Sequence, residues 1–243
     1  MEIYSQIEYQ SKQKKKQIAI LIDPDKPGDE SFESLAIKMA NYNIDYILIG
    51  GSLLNTNELD SCLKAFRDHT DFPTIIFPGS VMQVNDKAHA ILFLSLVSGR
   101  NADLLIGRHV ESVPYILSAG IEPISTAYIL IDGGNVTTAQ YISNTMPIPA
   151  DKPEIVGLTA KAAEMIGMKL IYLDGGSGAK NSVPCKAIKE VKGLTEAPII
   201  VGGGIRDLKT AREKFDAGAD IIVVGTALEN DFGFLKELMT LKR

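Results

Sequence analysis

Short apolar runs alternate with amphipathic segments along almost the whole chain, and this alternation restricts the fold more than any other feature. Most of the runs are continuous and rich in Ile, Leu and Val, which is typical of strands buried on both faces of a parallel sheet. They lie at Gln17–Ile22, Asp45–Ile49, Thr74–Phe77, Ala90–Val97, Ile121–Ile131, Leu170–Leu173, Ile199–Val201 and Ile221–Val224. The amphipathic segments between them include Ser31–Asn43, Thr56–His69, Glu154–Gly167 and Leu208–Gly218. This pattern predicts repeated βαβ units and a parallel sheet.

The number of predicted strands favours a closed barrel over an open sheet. The chain has 243 residues, close to the roughly 250 that are typical of a (β/α)₈ barrel. We therefore predict an α/β fold, a single (β/α)₈ TIM-barrel domain over residues 1–243. Only the segment from Pro78 to Lys87 separates the third and fourth strands, so we expect the third helix to be irregular or missing.

Composition and charge exclude several classes of partner. A formal net charge of -5 and a pI near 5.3 argue against a nucleic-acid binder. The basic run Lys12–Lys16 is read as the solvated end of an N-terminal helix rather than a contact with anionic lipid. The longest apolar run, Ala90–Val97, is too short to cross a bilayer, so stable membrane insertion is not expected. Cys62 and Cys185 show neither metal-ligand nor disulfide spacing, and we expect a reduced, cytoplasmic protein.

Glycine or a small polar residue follows nearly every predicted strand. These positions are Asp23–Lys26, Gly50–Ser52, Pro78–Ser80, Ser98–Asn101, Asp132–Gly134, Asp174–Gly178, Gly202–Gly204 and Gly225–Thr226. In TIM barrels the active site lies at this end of the strands, often with a phosphate site after strands seven and eight. Because glycine lets the backbone approach an anion closely, the last three loops predict a phosphate cradle.

Polar side chains beside the cradle suggest chemistry. Asp23 and Ser52 follow neighbouring strands and could hold Mg²⁺, which prefers oxygen ligands. The alternative interpretation of Asp23 is an N-cap or turn residue beside Pro24. Asp174 could accept a proton from a substrate hydroxyl or only hold that hydroxyl. Ser177 is a candidate phosphate donor, and Arg206 either contacts the phosphate or caps the barrel outside.

Other functional templates do not fit. The sequence contains neither a G-x-S-x-G elbow nor a Walker-type loop. His69, His89 and His109 lack metal-ligand spacing, so we interpret them as solvent-exposed or packing residues outside the site.

Seven motifs, taken in order, resemble those of a known family. They are Leu21–Pro27 (LIDPDKP), Ile47–Ser52 (ILIGGS), Ser98–His109 (SGRNADLLIGRH), Ala127–Gly134 (AYILIDGG), Tyr172–Ala179 (YLDGGSGA), Val201–Arg206 (VGGGIR) and Val223–Thr226 (VVGT). Together they are similar to the geranylgeranylglyceryl phosphate synthases, in the branch shared by some archaea and bacteria and close to the heptaprenylglyceryl phosphate synthases. The first and sixth motifs together are quite specific.

The resemblance implies a prenyltransferase. Members of this family join geranylgeranyl diphosphate to the sn-3 hydroxyl of sn-glycerol 1-phosphate, release diphosphate and use Mg²⁺. By position, Asp23 and Ser52 would be the metal ligands and Asp174 the catalytic carboxylate. The glycerol phosphate would be bound by Tyr172, Leu173, Asp174, Gly175, Gly176, Ser177, Gly178, Gly203, Gly204, Gly225 and Thr226. Relatives form dimers or larger assemblies, so a homo-oligomer is expected.

This chain departs from the family at two positions, and the residues that line the prenyl groove are less clearly indicated than those of the polar site. Many relatives carry Glu where this chain has Asp174, which shortens the reach of the carboxylate, and another branch has Lys where this chain has Leu21. Phosphate contacts should therefore come mainly from backbone amides and Ser177. The prenyl groove is expected to be lined by Tyr128 with Ile129 and Leu130, and by the segment Leu104 to Tyr115.

Three alternatives remain at this point. The first is a synthase of the same type with a longer, heptaprenyl donor. The second is a phosphate-binding barrel isomerase or synthase of histidine, tryptophan or thiamin biosynthesis, which would not require metal ligands after the first two strands. The third is a non-catalytic barrel that binds a phosphorylated ligand.

Overall fold

The computed structural model describes residues 2–26 and 30–242, so Pro27, the last residue of the first motif, lies outside the described residues. Eight parallel strands form a closed barrel in sequence order, and β8 pairs with β1. The strands are β1 Gln17–Ile22, β2 Tyr46–Ile49, β3 Thr74–Ile76, β4 Ala90–Leu96, β5 Glu122–Leu130, β6 Leu170–Asp174, β7 Ile199–Gly202 and β8 Ile221–Val224. The predicted barrel is confirmed.

Helices surround the barrel, except on one side. They are α1 Ile3–Lys12, α2 Phe32–Met39, α3 Leu59–His69, α4 Arg108–Ala119, α5 Thr138–Ser143, α6 Pro153–Met165, α7 Cys185–Leu194, α8 Leu208–Ala217, α9 Thr226–Asn230 and α10 Gly233–Leu238. Between β3 and β4, a stretch described in full, the chain forms only a 3₁₀ turn, Val81–Gln83. The third barrel helix is therefore missing, as its short connection predicted.

Alternating side chains of the strands fill two cores. Tyr172, Leu48 and Val223 point into the barrel interior, whereas Leu173 and Ile222 pack outward in the core that includes the surrounding helices. Because parallel strands that are covered on both sides bury both of their faces, their sequences read as continuous apolar runs rather than alternating ones.

The N-terminal helix closes the opposite end of the barrel from the glycine-rich loops. Ile3 and Ile7 of α1 belong to the inner core, and the Glu122 carboxylate at the start of β5 accepts the amide protons of Ile3 and Tyr4. The basic run after α1 thus lies far from the predicted site. Lys12 pairs with the carboxylate of Glu8 in the same helix.

Among the described residues, no helix is long and apolar enough to cross a bilayer.

Candidate active site

A cavity of about 1190 Å³ opens at the carboxyl end of the strands. The side chains or backbones of most predicted site residues line it. They are Asp23, Ser52, Tyr128, Tyr172, Asp174, Ser177, Gly178, Gly203, Gly204, Gly225 and Thr226. The barrel thus brings the loops after β1, β2, β6, β7 and β8 together around one space.

Three predicted phosphate-site residues lie behind the cavity wall. Leu173 is fully buried in the outer core, so its side chain serves packing. Gly175 and Gly176 are buried beneath the loop after β6. The Gly176 amide donates to Asp174 Oδ1 at 2.8 Å, and this bond orients the carboxylate rather than a ligand.

Asp174 is a buried carboxylate with both oxygens engaged. Oδ2 accepts a hydrogen bond from the Tyr128 hydroxyl at 2.7 Å, and Oδ1 accepts the bond from the Gly176 amide. Burial raises the pKa of Asp174, while these two hydrogen bonds act in the opposite direction. A carboxyl group with a raised pKa at a cavity wall can take up a proton during a reaction.

Three aromatic rings form the floor of the cavity beside Asp174. Phe77 stacks on Tyr172 with ring centroids 5.1 Å apart, and Tyr128 meets both rings at 5.6–5.9 Å. Burial, followed by the nearby negative charge of Asp174, raises the pKa of both tyrosines well above its ordinary value. Both hydroxyls therefore stay protonated, and that of Tyr128 is a permanent donor to Asp174.

The cradle after β6 and β7 depends on backbone that only glycine adopts easily. Gly203 has φ +78°, and a Cβ atom there would lie 2.6 Å from Asp174 Oδ1. Arg206 Nη1 donates to the Lys180 carbonyl at 3.1 Å, and Nη2 donates to that of Ala179. Arg206 therefore ties the β6 loop to the β7 loop at the cavity edge, which gives it a bracing role at this position.

Asp23 and Ser52 lie on adjacent loops that line the same cavity. The Asp23 carboxylate approaches Gly51 closely: a Cβ atom on that glycine would lie 3.5 Å from Oδ1. Asp23 also accepts the Asp25 amide proton at 3.1 Å and pairs with Lys26 Nζ at 3.2 Å. It is thus both a turn residue and a carboxylate that faces the cavity, as the two interpretations of the sequence allowed.

These oxygen donors fit Mg²⁺. The ion is usually held by one or two protein carboxylates together with substrate phosphates and water. One carboxylate and one hydroxyl on neighbouring loops, beside a cavity large enough for a diphosphate, provide such a partial ligand set.

Polar side chains brace these loops from both sides. Asp25, after β1, accepts four hydrogen bonds from Asn55 and Thr56, after β2. Gln83, which is buried, accepts the Gly79 amide proton at 3.0 Å and donates to the Gly51 carbonyl at 3.2 Å. The two bridges link the loops after β1, β2 and β3 into one unit.

An apolar arm of the cavity runs along the side where the third helix is missing. Its walls come from β4, from the 3₁₀ turn and from α4, and include Val84, Phe93, Leu104, His109, Ser112 and Tyr115. The predicted segment Leu104 to Tyr115 therefore lines the cavity in part. Tyr128 lies where the arm meets the aromatic floor, whereas Ile129 packs in the outer core.

His109 is a buried polar side chain in the wall of this arm, in contrast to the prediction that it lies outside the site. Its ring lies edge-on to Phe93 with centroids 4.4 Å apart, and Nε2 is 3.0 Å from Ser95 Oγ. Nδ1 is buried and has no hydrogen-bond partner among the residues that the structure describes. Burial is the largest cause of the lowered pKa of His109, so the ring is neutral at physiological pH.

Comparison with known proteins places the chain in a family. The model of the PcrB family matches residues 10–242. The chain belongs to the PcrB family. The geranylgeranylglyceryl phosphate synthase of Chitinophaga pinensis is 51% identical over 223 residues, 92% of this chain and 88% of the relative. That of Korarchaeum cryptofilum is 38% identical and covers 93% of this chain and 92% of its own length.

A solved structure of a related enzyme has the same fold. The (S)-3-O-geranylgeranylglyceryl phosphate synthase from Thermoplasma acidophilum, crystallised in complex with its substrate sn-glycerol-1-phosphate, aligns with a TM-score of 0.90 at 30% identity. The alignment covers 99% of this chain and 98% of that one. The resemblance read from the seven motifs is therefore confirmed for this PcrB family member.

Sequence reasoning missed Asp25, Gln83 and His109. Asp25 stands inside the first motif, but its partners are 30 and 31 residues away. Gln83 lies in the short connection after β3 and His109 ends the third motif, but no spacing in the sequence relates either side chain to its partners. Only the folded arrangement of the loops shows what these side chains contact.

Proposed function

We propose that this protein is a prenyltransferase that joins geranylgeranyl diphosphate to the sn-3 hydroxyl of sn-glycerol 1-phosphate and releases diphosphate. One observation carries the proposal: a single cavity connects a glycine cradle and a buried carboxylate to an apolar arm. An isomerase acting on a small polar phosphate would have little use for such an arm, and a purely ligand-binding barrel would not require a carboxylate with a raised pKa.

The cradle is the site for sn-glycerol 1-phosphate. Backbone amides of the loops after β6, β7 and β8 surround the space beside Asp174, where left-handed glycines permit close approach of an anion. The bound substrate named for the Thermoplasma acidophilum relative supports this assignment. Fixing the phosphate in the cradle also fixes the far hydroxyl of the glycerol, which lowers the entropic barrier to reaction.

Asp174 is the group that receives the hydroxyl proton. The glycerol oxygen forms a C–O bond to the first carbon of the prenyl group, the C–O bond to diphosphate breaks, and the hydroxyl proton moves to a carboxylate oxygen. Tyr128 and the Gly176 amide hold the carboxylate in place and stabilise its ionised form. Because Asp174 is shorter than Glu by one methylene, its carboxylate can adjust less, and the hydrogen bonds to both of its oxygens hold it in the orientation that the reaction needs.

Asp23 and Ser52 would hold Mg²⁺ on the diphosphate. When bound, the ion neutralises the negative charge that develops on the leaving diphosphate. The protein's own part is to present the two oxygen ligands at the cavity wall and to keep them close to the cradle. Lys26 contributes a further positive charge beside Asp23.

The apolar arm holds the prenyl chain. Each methylene buried there contributes about 0.8 kcal/mol, so the depth of the arm selects among donors of different length. Geranylgeranyl and heptaprenyl diphosphate would share the polar end of the site and differ only in how far they fill the arm.

Location and assembly complete the proposal. We place the enzyme in the cytoplasm, which the two free cysteines of the described structure support. We also propose a homo-oligomer, because Ile106 and the α4 residues Val110, Val113 and Leu117 form an exposed apolar stripe at helical spacing. A light-scattering mass equal to one chain would refute the oligomer.

Transfer of label into organic solvent tests the reaction. The purified protein is incubated with Mg²⁺, radiolabelled sn-glycerol 1-phosphate and, separately, geranylgeranyl or heptaprenyl diphosphate. Label in the organic phase with one donor, and its loss in Asp23→Ala, would establish both the reaction and the chain length. If neither donor transfers label, the prenyltransferase proposal is wrong.

A further inference from the structure

Asp25 connects the two loops that carry the proposed metal ligands. It lies two residues after Asp23, and its partners Asn55 and Thr56 lie three and four residues after Ser52. Oδ2 accepts the Asn55 backbone amide at 2.6 Å and the Asn55 side-chain amide at 3.2 Å. Oδ1 accepts the Thr56 backbone amide at 3.1 Å and the Thr56 hydroxyl at 2.6 Å.

A carboxylate is required at this position. Three of the partner groups are N–H donors and the fourth is a hydroxyl that can also accept. Two of them face each oxygen, so an ionised carboxylate satisfies all four, whereas the NH₂ group of an amide always faces at least one N–H. In Asp25→Asn, the side-chain NH₂ group would face the two N–H groups of Asn55 in one orientation, and the N–H and O–H groups of Thr56 in the other. Hydrogen bonds to an ionised acceptor are also shorter and stronger than neutral ones.

The bridge acts at the point where strand pairing ends. The β1–β2 ladder finishes with the bond from the Gly50 amide to the Ile22 carbonyl at 3.1 Å. Asp23 and Ser52 both follow this last rung. Beyond it, Asp25 ties the first loop to the second, and its own amide donates to Asp23 Oδ1. One residue therefore sets both the spacing of the loops and the orientation of the Asp23 carboxylate.

We propose that Asp25 is a positioning residue for the reaction: its carboxylate holds Asp23 and Ser52 at the separation that binds a divalent cation together with diphosphate. The proposal rests on the proposed function, in which these two residues are the metal ligands. Asp25 lines the same cavity, but both of its carboxylate oxygens are engaged by Asn55 and Thr56, so in this role it contacts neither substrate nor metal. Its loss should weaken metal binding and leave the cradle for sn-glycerol 1-phosphate unchanged.

Direct metal binding tests the proposal without turnover. Mn²⁺ replaces Mg²⁺, and free Mn²⁺ is measured by electron paramagnetic resonance in the presence of inorganic diphosphate. We expect Asp25→Asn to weaken Mn²⁺ binding at least fivefold and Thr56→Val, which removes one of the four bonds, to weaken it less. Asp132→Asn is the matched control, because Asp132 is an exposed carboxylate at the same barrel end whose Oδ1 accepts one bond within its own loop.

Steady-state kinetics and unfolding separate positioning from general damage. Asp25→Asn should raise the Mg²⁺ concentration needed for half-maximal rate, recover most of kcat at saturating Mg²⁺ and keep the KM for sn-glycerol 1-phosphate. Its thermal midpoint without metal should lie only slightly below that of Asp132→Asn, because the four bonds that Asp25 accepts are exposed to solvent. A general structural defect would instead lower the midpoint strongly and change the kinetic constants for both substrates.

The Asp23→Asn variant separates a failure of the proposed metal site from a failure of the positioning role of Asp25. If Asp23→Asn weakens Mn²⁺ binding and Asp25→Asn does not, Asp25 is not a positioning residue, although the metal site stands. If Asp23→Asn binds Mn²⁺ like the unmodified protein, or if that protein binds none, the metal assignment itself fails and the role of Asp25 fails with it.

Discussion

Replacing Gly203 by Ala tests the cradle most directly. The new Cβ atom would lie 2.6 Å from Asp174 Oδ1 and 2.7 Å from the amides of Gly175 and Gly176. These atoms cannot yield easily, because the Gly176 amide is hydrogen-bonded to Asp174 and Tyr128 holds the other carboxylate oxygen. The left-handed backbone, φ +78°, costs Ala about 1–2 kcal/mol, and overpacking adds about 1–3 kcal/mol.

Gly120→Ala is the matched control for this change. Gly120 ends α4 with φ +66°, and a Cβ there would meet no described atom within 4 Å, so this variant carries the backbone strain alone. One kcal/mol corresponds to roughly 2–4 °C in a chain of this size. We expect Tm to fall by about 2–8 °C in Gly120→Ala and by about 4–20 °C in Gly203→Ala.

Calorimetric titration with sn-glycerol 1-phosphate completes the experiment. Gly203→Ala should bind the ligand at least about tenfold more weakly, a loss of at least about 1.4 kcal/mol, whereas Gly120→Ala should bind it normally. Equal stability loss in the two variants, together with unchanged binding in Gly203→Ala, would refute the close packing of the cradle against Asp174.

Three further predictions concern the titrating groups. Asp174→Asn should lower kcat roughly 10²–10⁴-fold. At pH 8 this variant should also unfold at a higher temperature than the unmodified protein. Burial raises the pKa of Asp174 in the folded protein, so ionisation of this carboxyl group above its ordinary pKa stabilises the unfolded chain more than the folded one. An unchanged midpoint of thermal unfolding would contradict this. Tyr128→Phe removes a donor that lowers the pKa of Asp174, so the acidic limb of the kcat/KM profile should move to higher pH, and a limb that stays in place would argue against Asp174 as base. The unmodified protein should lose stability between pH 7 and pH 5, and His109→Phe should reduce this loss. Because burial lowers the pKa of His109, the unfolded chain binds a proton below about pH 6.5 that the folded protein does not bind. Denaturant midpoints measured across this range should differ in slope, and equal slopes would exclude the buried neutral ring.

Local sequence patterns were sufficient to predict the barrel and many of the loop residues at the carboxyl end of its strands. Each strand of this fold is buried on both faces, so its burial appears in the sequence as an apolar run that needs no knowledge of its neighbours. β1 and β8 have the predicted bounds, and the short connection after β3 showed that a helix was missing. The glycine-rich turns were equally readable, since positive φ is a local requirement.

The predicted boundaries were less accurate where a distant side chain decides them. The segment from Thr56 was expected to be helical, but α3 begins at Leu59. The amide and hydroxyl of Thr56 both donate to Asp25, which holds Thr56 in the loop. β6 extends one residue beyond its predicted end for a different reason: the backbone of Asp174 pairs with Leu130 and Gly202 of the neighbouring strands.

The sequence by itself therefore determined the closed barrel, the end of it that carries the chemistry, and the acidic and glycine residues that line it. Only the tertiary structure decided how these groups are held. Tyr128 donates to a carboxylate 46 positions away, and Gln83 donates to a backbone carbonyl 32 positions away. His109 lies in the cavity wall on the side where the described chain has a 3₁₀ turn in place of the third helix. Such contacts depend on the closure of the barrel and the packing of its loops, which no local pattern of residues records.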